Sequence, residues 1–259
     1  MQDIASGVQS GLGLELGDLY SSRDLTAADV VAMCTAQGAD RAKAESVIDG
    51  IRDEYFTKKY LEYTYELDLR GLSPGWEREP LRLLADRHAP PSRSTVLAVG
   101  VGNGLELPYL YEEVQELIAV DISQRMLTAA EERFSNAKYV CNTAENLVDI
   151  KASSVDSYVS LRTYQSSLFG IRDAFREAYR VLKPTGVFVV SIANGYVDVI
   201  DGKKQIVRGL QIPGTRTVVD RDTPFRIAKG ILQLLEDYGF QDLDFHEGQT
   251  DLYAAGVKP

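Results

Sequence analysis

The sequence predicts an α/β fold in which a mostly parallel sheet carries helices on both faces. Three observations point there. Thr95–Val99 is a short, β-rich apolar run that breaks into glycines at alternate positions, Gly100, Gly102 and Gly104, ahead of a helix-like segment. Residues 116–120 form a second apolar run, and it ends in Asp121, about 20 residues beyond the first glycine. Strand-like and amphipathic stretches then alternate through most of the remaining chain, the signature of βαβ units.

The glycine turn and the acid belong together. Glycines let the backbone turn sharply and approach a ligand with no Cβ in the way, although a tight βα turn without a ligand would look the same. Such turns lie at the carboxyl edge of the sheet, where open α/β folds bind ligands. A carboxylate at the tip of the second strand can accept hydrogen bonds from both hydroxyls of a ribose. Position 105 is Leu, so the dinucleotide pattern G-x-G-x-x-G is not met. A nucleoside without phosphates, such as S-adenosylmethionine (SAM), fits better than NAD.

Residues 96–104 resemble the first motif of the class I SAM-dependent methyltransferase superfamily, and Val120-Asp121-Ile122-Ser123 with Met126 resembles its second. Asn142-Thr143-Ala144-Glu145-Asn146-Leu147 is similar to the family's G-D-A-E-N-L stretch, residues 155–160 to its fourth strand, and residues 178–186 to the segment entering its fifth. The similarity spans about residues 75–195 in consistent order. It implies a Rossmann-like methyltransferase fold with a seven-stranded sheet whose last strand runs antiparallel. It also implies SAM as cofactor, held by Gly100, Gly102, Gly104, Asp121, Ile122, Met126, Thr143 and Ala144. In this resemblance Ile122 and Met126 flank adenine, with helix packing an equal role for Met126, and Ala144 offers its backbone N–H to the ring. Two positions depart from the pattern. Ala98 stands where the family usually has an acid that helps hold the ligand's amino group, and Thr143 where it often has Asp.

Composition narrows the alternatives. The chain has 259 residues, 44% hydrophobic and 25% charged, which suits one large α/β domain with an appendage. A net charge of −10 makes nucleic acid a poor default partner. No apolar run approaches a membrane span and no signal pattern opens the chain, so neither a membrane nor export is expected. Cys34 and Cys141 lie apart, and His88 and His246 are the two histidines, so no metal site is expected and a reduced cytoplasm is the simplest compartment. A homodimer is compatible with all of this.

Taken in order, residues 1–70 read as an arm and a helical cap, and residues 71–259 as the main domain. Residues 1–22 are glycine-rich, either a disordered tail or an arm over a pocket. Thr26 and Asp29 start a helix whose apolar face is Val30, Val31 and Cys34, and a second helix spans about 41–60. Tyr55, Tyr60, Tyr63 and Tyr65 either pack this cap or line the acceptor pocket, with Tyr60 and Tyr63 the candidates for the latter. A turn at 71–75 leads into an amphipathic helix, 76–88, which ends at Pro90-Pro91 with His88 in its last turn. A helix is expected over 104–113, a helix capped by Ser123 to about 134, a third strand at 138–141, and a helix at 170–182. Strands are expected at 187–192, 240–245 and 252–257, and a final helix at 224–238 closed by Gly239. Residues 196–220 alternate apolar and polar around Asp201-Gly202, which predicts an inserted hairpin near the acceptor pocket.

The polar run Arg162-Thr163-Tyr164-Gln165 directly follows the fourth strand. Arg162, Tyr164 and Gln165 are therefore candidates to touch substrate or cofactor, Arg162 as a two-pronged partner for a carboxylate. Asn194 lies past the fifth strand and joins them. The expected activity is SAM-dependent methyl transfer to a small molecule, with nitrogen slightly favoured over oxygen or carbon because no histidine falls at a central strand tip. A SAM-binding protein with a non-methylating reaction, or a methyltransferase for RNA or protein, are the alternatives. No catalytic base is assigned.

Overall fold

The computed structural model describes residues 27–36, 38–46, 48–49, 93–110, 113–166, 169–211, 218–248 and 250–259. The arm, most of the second cap helix with its tyrosines, the turn at 71–75, the helix predicted at 76–88 and His88 lie outside the described residues. Helix α1 (Ala27–Ala36) buries Val30 and Val31 against Ala44 and Ile48, as their spacing predicts. Residues 41–46 are helical, where the second cap helix was expected to begin.

The domain is then laid down as β1 (Thr95–Val99), α2 (Leu107–Leu110), β2 (Glu116–Asp121), α3 (Gln124–Arg133), β3 (Lys138–Cys141), β4 (Val155–Leu161), α4 (Ile171–Val181) and β5 (Leu182–Ala193). A pair of ribbons follows: β6 (Gly195–Ile200) with β7 (Lys203–Arg208), and β8 (Leu210–Gln211) with β9 (Val218–Asp220). Helix α5 (Thr223–Asp237), β10 (Gln241–Glu247) and β11 (Asp251–Val257) complete it.

Seven strands make one sheet in the order β3-β2-β1-β4-β5-β11-β10. The pairings through β5 are parallel, and β11 runs antiparallel to both β5 and β10. Successive residues of β1 face opposite sides, and both sides are covered. Leu97 and Val99 join Tyr158, Phe188, the inner face of α4 and α5. Val96 and Ala98 join Leu117, Ala119 and, from α3, Leu127 and Ala130. The first core is fastened by rings: Phe188 stacks on Tyr158 at 5.3 Å and meets Phe175 edge-on at 5.1 Å, geometries that contribute about 0.5–1.5 kcal/mol per pair beyond area burial.

β1 lies between β2 and β4, so the connections to its neighbours depart in opposite directions and open a crevice at its carboxyl end. The insertion begins at the same edge. In β6–β7 the two turn residues, Asp201 (φ 52°) and Gly202 (φ 73°), are both left-handed, the type I′ geometry that matches strand twist. The single hairpin predicted for 196–220 is thus two short ribbons. Helix α5 stops where Gly239 turns left-handed (φ 76°) and Phe240 N–H reaches back to Leu235 O at 2.9 Å.

Two boundaries differ from the sequence expectation. The helix predicted from 104 begins at Leu107, because Gly104 is left-handed (φ 73°) and its N–H closes a turn onto Val101 O. β5 begins at Leu182, five residues early, with left-handed Thr185 (φ 64°) absorbed as an irregularity in its pairing with β4. No helix among the described residues is long and apolar enough to cross a membrane.

Candidate functional site

The turn after β1 is held by the tip of β2. The N–H groups of Gly100 and Val101 donate to Val120 O at 2.7 and 3.2 Å. Gly102 N–H donates to Asp121 Oδ2 at 2.8 Å, and Ser123 N–H to Asp121 Oδ1 at 3.0 Å. Asp121, 8% exposed, is therefore fixed from both sides, facing the glycine turn. Ser123 also caps α3, accepting from Met126 N–H at 3.3 Å, as predicted.

The three glycines share a left-handed backbone but not their surroundings. A Cβ at Gly100 would collide with the Thr163 hydroxyl, and one at Gly104 would lie 2.7 Å from Ala130 Cβ. At Gly102 (φ 53°) it would meet nothing within 4 Å among the described residues. Gly100 and Gly104 let the protein close on itself; Gly102 leaves an open face beside Asp121.

Beyond β3, residues 143–147 are strapped to α4. Glu145 Oε1 accepts from Gly170 N–H at 3.1 Å, and Leu147 N–H donates to Glu177 Oε2 at 2.8 Å. Arg180, paired with Glu177 at 2.7 Å, donates to the carbonyls of Leu147 and Ile150. Its guanidinium holds the Glu177 carboxyl below the usual range. Within this strapped turn Ala144 is buried, and among the described residues nothing accepts from its N–H. A buried N–H left unpaired costs about 1–3 kcal/mol, so this is a place where an acceptor atom from beyond the described residues would be stabilising. Gly100, Gly102, Gly104, Asp121, Ile122, Met126, Thr143 and Ala144 thus come together at the adjacent tips of β1, β2 and β3. Met126 is 2% exposed and Ile122 only partly buried.

The candidates on the other side of the crevice fare differently. Arg162 does not stand ready for a substrate carboxylate. Its Nε and Nη2 grip Asp251 Oδ1 and Oδ2, both at 2.7 Å, and Nη2 also reaches Thr250 Oγ1 at 3.1 Å. The carboxylate that fills its fork is the protein's own, brought alongside because antiparallel β11 starts where β4 and β5 end. Tyr164 is likewise core, not lining: it is 1% exposed, its ring packs on Phe169 and Phe188, and its hydroxyl pairs with that of Tyr158 at 3.2 Å. The apolar ring cluster around it outweighs its polar neighbours in sequence. Gln165 closes the end of β5 by accepting from Ala193 N–H at 2.6 Å. Asn194 sits beside it, buried, its N–H on Thr250 O and its carbonyl receiving Gly209 N–H. Tyr60 and Tyr63 lie outside the described residues.

One group at the crevice escaped the sequence reading. Burial raises the Glu106 carboxyl to about 7; a hydrogen bond from its own backbone opposes the rise, the Asp121 carboxylate adds to it, and the Arg162 guanidinium opposes it. The signal, unread, was a lone acid between Leu105 and Leu107 immediately after the glycine turn.

Residues 97–190 match the family model described as a methyltransferase domain, a span that contains the tips of β1 to β4 and ends within β5. Over that span the chain is similar to a methyltransferase domain. A stretch of 101 residues is 42% identical to the malonyl-[acyl-carrier protein] O-methyltransferase of Marinomonas sp. (strain MWYL1), covering 37% of each chain. Over 180 residues the chain is 24% identical to an uncharacterized methyltransferase of Schizosaccharomyces pombe (strain 972 / ATCC 24843), covering 68% of this chain and 66% of that one. The alignments thus span about a third and two thirds of those relatives' lengths. Among solved structures, a SAM-dependent methyltransferase from Thermotoga maritima, described as a possible histamine N-methyltransferase, superposes with a TM-score of 0.54 at 18% identity. That match covers 80% of this chain and 98% of the other. The two stretches that resemble the superfamily's first and second motifs in sequence form the β1 turn and the β2 tip, and Ala98 is buried in β1.

Proposed function

We propose that the chain transfers a methyl group from SAM to a small-molecule acceptor. The observation that carries this reading is the pairing of a glycine face, open among the described residues, with a fixed acid: Gly102 N–H bonded to Asp121, beside Ala144, whose N–H none of the described residues accepts. Asp121 would hold the ribose hydroxyls, Ala144 N–H a ring nitrogen of adenine, and the Gly100–Gly104 turn the amino-acid portion. When bound, SAM supplies a methyl carbon activated by its sulfonium.

Displacement at such a carbon disperses charge, so the protein's task is alignment and water exclusion more than proton transfer. The acceptor would enter between the ends of β4 and β5 and the ribbons that follow, where Gln165 and Asn194 are the polar groups. His246, on edge strand β10 beside the Tyr253 ring, is remote in sequence and topology from the central tips. This favours an acceptor that arrives as a nucleophile: a neutral amine nitrogen first. An ionised carboxylate oxygen is the second reading, supported by the named activity of the Marinomonas relative, and it too needs no base.

Calorimetry with SAM, followed by transfer of labelled methyl to a panel of small amines and carboxylates, tests the proposal. Label on an amine supports the first reading and label on a carboxylate the second. Tight SAM binding with no transfer to either class, or absence of SAM binding, overturns it.

A further inference from the structure

We propose that Arg162 is a positioning residue for the cofactor: by gripping Asp251 it holds Thr163 against the Gly100 turn and so keeps that turn in its binding shape. The inference rests on the reading that the turn takes SAM. Arg162 is left-handed (φ 58°), a conformation that L side chains disfavour and that glycine or asparagine ordinarily supplies. Such a bend persists only where its surroundings over-determine it. Here they do. The Arg162 N–H donates to Ser191 O and Oγ at 3.0 and 3.1 Å, and its guanidinium closes on both oxygens of Asp251, which is 2% exposed. Asp251 also accepts from the hydroxyls of Thr250 and Ser191, at 2.8 and 3.3 Å. A glycine would make the same bend with less strain; the arginine side chain adds a tie to β11.

The next residue is brought back onto β1. Thr163 fills the space beside Gly100: a Cβ built on that glycine would collide with the Thr163 hydroxyl and lie 2.9 Å from its Cβ and Cγ2. The hydroxyl itself is 3.4 Å from Val99 O and 3.3 Å from Leu161 O, too far for strong bonds, so shape rather than hydrogen bonding sets the contact. Ser160 Oγ does bond Val99 O, at 2.9 Å, and fixes the last carbonyl before the turn. Gly100 is thus wedged between two walls. On the β2 side Val120 O accepts its N–H at 2.7 Å, and on the β4 side stands Thr163. A turn held from both sides is preorganised, and a ligand need not order it on binding.

The test is a double-variant cycle on the full chain, read by calorimetry with S-adenosylhomocysteine and by thermal melting. Asp251→Asn loosens the grip and Thr163→Ala removes the wedge. Each should weaken the ligand by about fivefold, and the two together by no more than the worse of them alone. Thr163→Val keeps the shape without the hydroxyl and should bind within about twofold of the parent. Melting temperature should fall with Asp251→Asn in either background, because it reads the clamp and not the wedge. The proposal is overturned if Asp251→Asn melts earlier yet binds like the parent, which would make the clamp purely structural, or if the two losses of affinity multiply. It is also overturned if Thr163→Ala binds like the parent, a result that decides the matter even where Asp251→Asn does not fold. Failure of the parent to bind S-adenosylhomocysteine is a different result: it removes the SAM reading itself, and this inference with it.

Discussion

The glycines of the β1 turn answer to different constraints, and single substitutions separate them. Gly104→Ala presses a methyl group against Ala130 and should cost about 1–3 kcal/mol of stability, the usual penalty of overpacking. Gly102→Ala meets no atom among the described residues; it pays only about 1–2 kcal/mol for a left-handed backbone, yet it fills the open face beside Asp121. Urea unfolding paired with SAM titration should show the first variant losing mainly stability and the second losing affinity as well. Unaltered SAM affinity in Gly102→Ala would take that face out of the site. Asp121→Ala removes the acceptor for two N–H groups and should weaken SAM by about 1–3 kcal/mol in calorimetry. At this scale the sequence indicated which neighbours along the chain would meet, as at the glycine turn and Asp121. It was silent about Glu106, whose environment is made by Asp121 and Arg162, and misleading about Arg162, whose partner Asp251 lies 89 residues further on.

At the scale of elements, that Arg162–Asp251 clamp joins the end of β4 to the start of β11, with Ser191 of β5 donating to the same carboxylate at 3.3 Å. Breaking one side of a buried pair strands the other charge. Arg162→Ala should therefore lower unfolding free energy by about 3–5 kcal/mol, while exchange of both residues for apolar ones of similar size should be milder. Denaturant curves of the single and double variants check this; a single variant as stable as the parent would reduce the clamp to decoration. The β6–β7 hairpin offers a smaller test. Gly202→Val, at φ 73°, should cost about 1–2 kcal/mol and appear as faster amide exchange confined to Gly195–Ile200 and Lys203–Arg208. Uniform acceleration through the central sheet would contradict it. Strands and turns of this kind were legible because their signals are local: β-branched runs, and Asp-Gly between alternating residues. The late start of α2 and the early start of β5 were not, because hydrogen bonds to Val101 and pairing with Val155 set those ends.

Across the whole molecule, the buried carboxyl of Glu106 ties folding to pH. Its folded value of about 7 lies above the ordinary 4.5, so between those limits the folded chain holds more protons than the unfolded one. The stability contributed by the protonated carboxyl is present below about 4.5 and is lost as pH rises towards 7. Thermal melts should find Glu106→Gln level with the parent near pH 4 and more stable than it at pH 7.5; a gap that widens on acidification instead would contradict this sign. The seven-stranded, mostly parallel sheet, the reversed strand and the class of cofactor were all legible in the order of motifs; the order of strands across the sheet was not. The acceptor's side was not, because its walls are made where distant segments meet. The placement of β11 has a last implication, for biosynthesis. Of the seven strands of this sheet it comes last along the chain, yet it lies inside the sheet, between β5 and β10. A nascent chain that has left the ribosome only as far as residue 249 already owns the glycine turn and Asp121. Its Arg162, however, still lacks Asp251, and β5 has not yet paired with β11. Chaperone protection should accordingly matter most during that interval, and the crevice should gain its ligand only after β11 has slotted home.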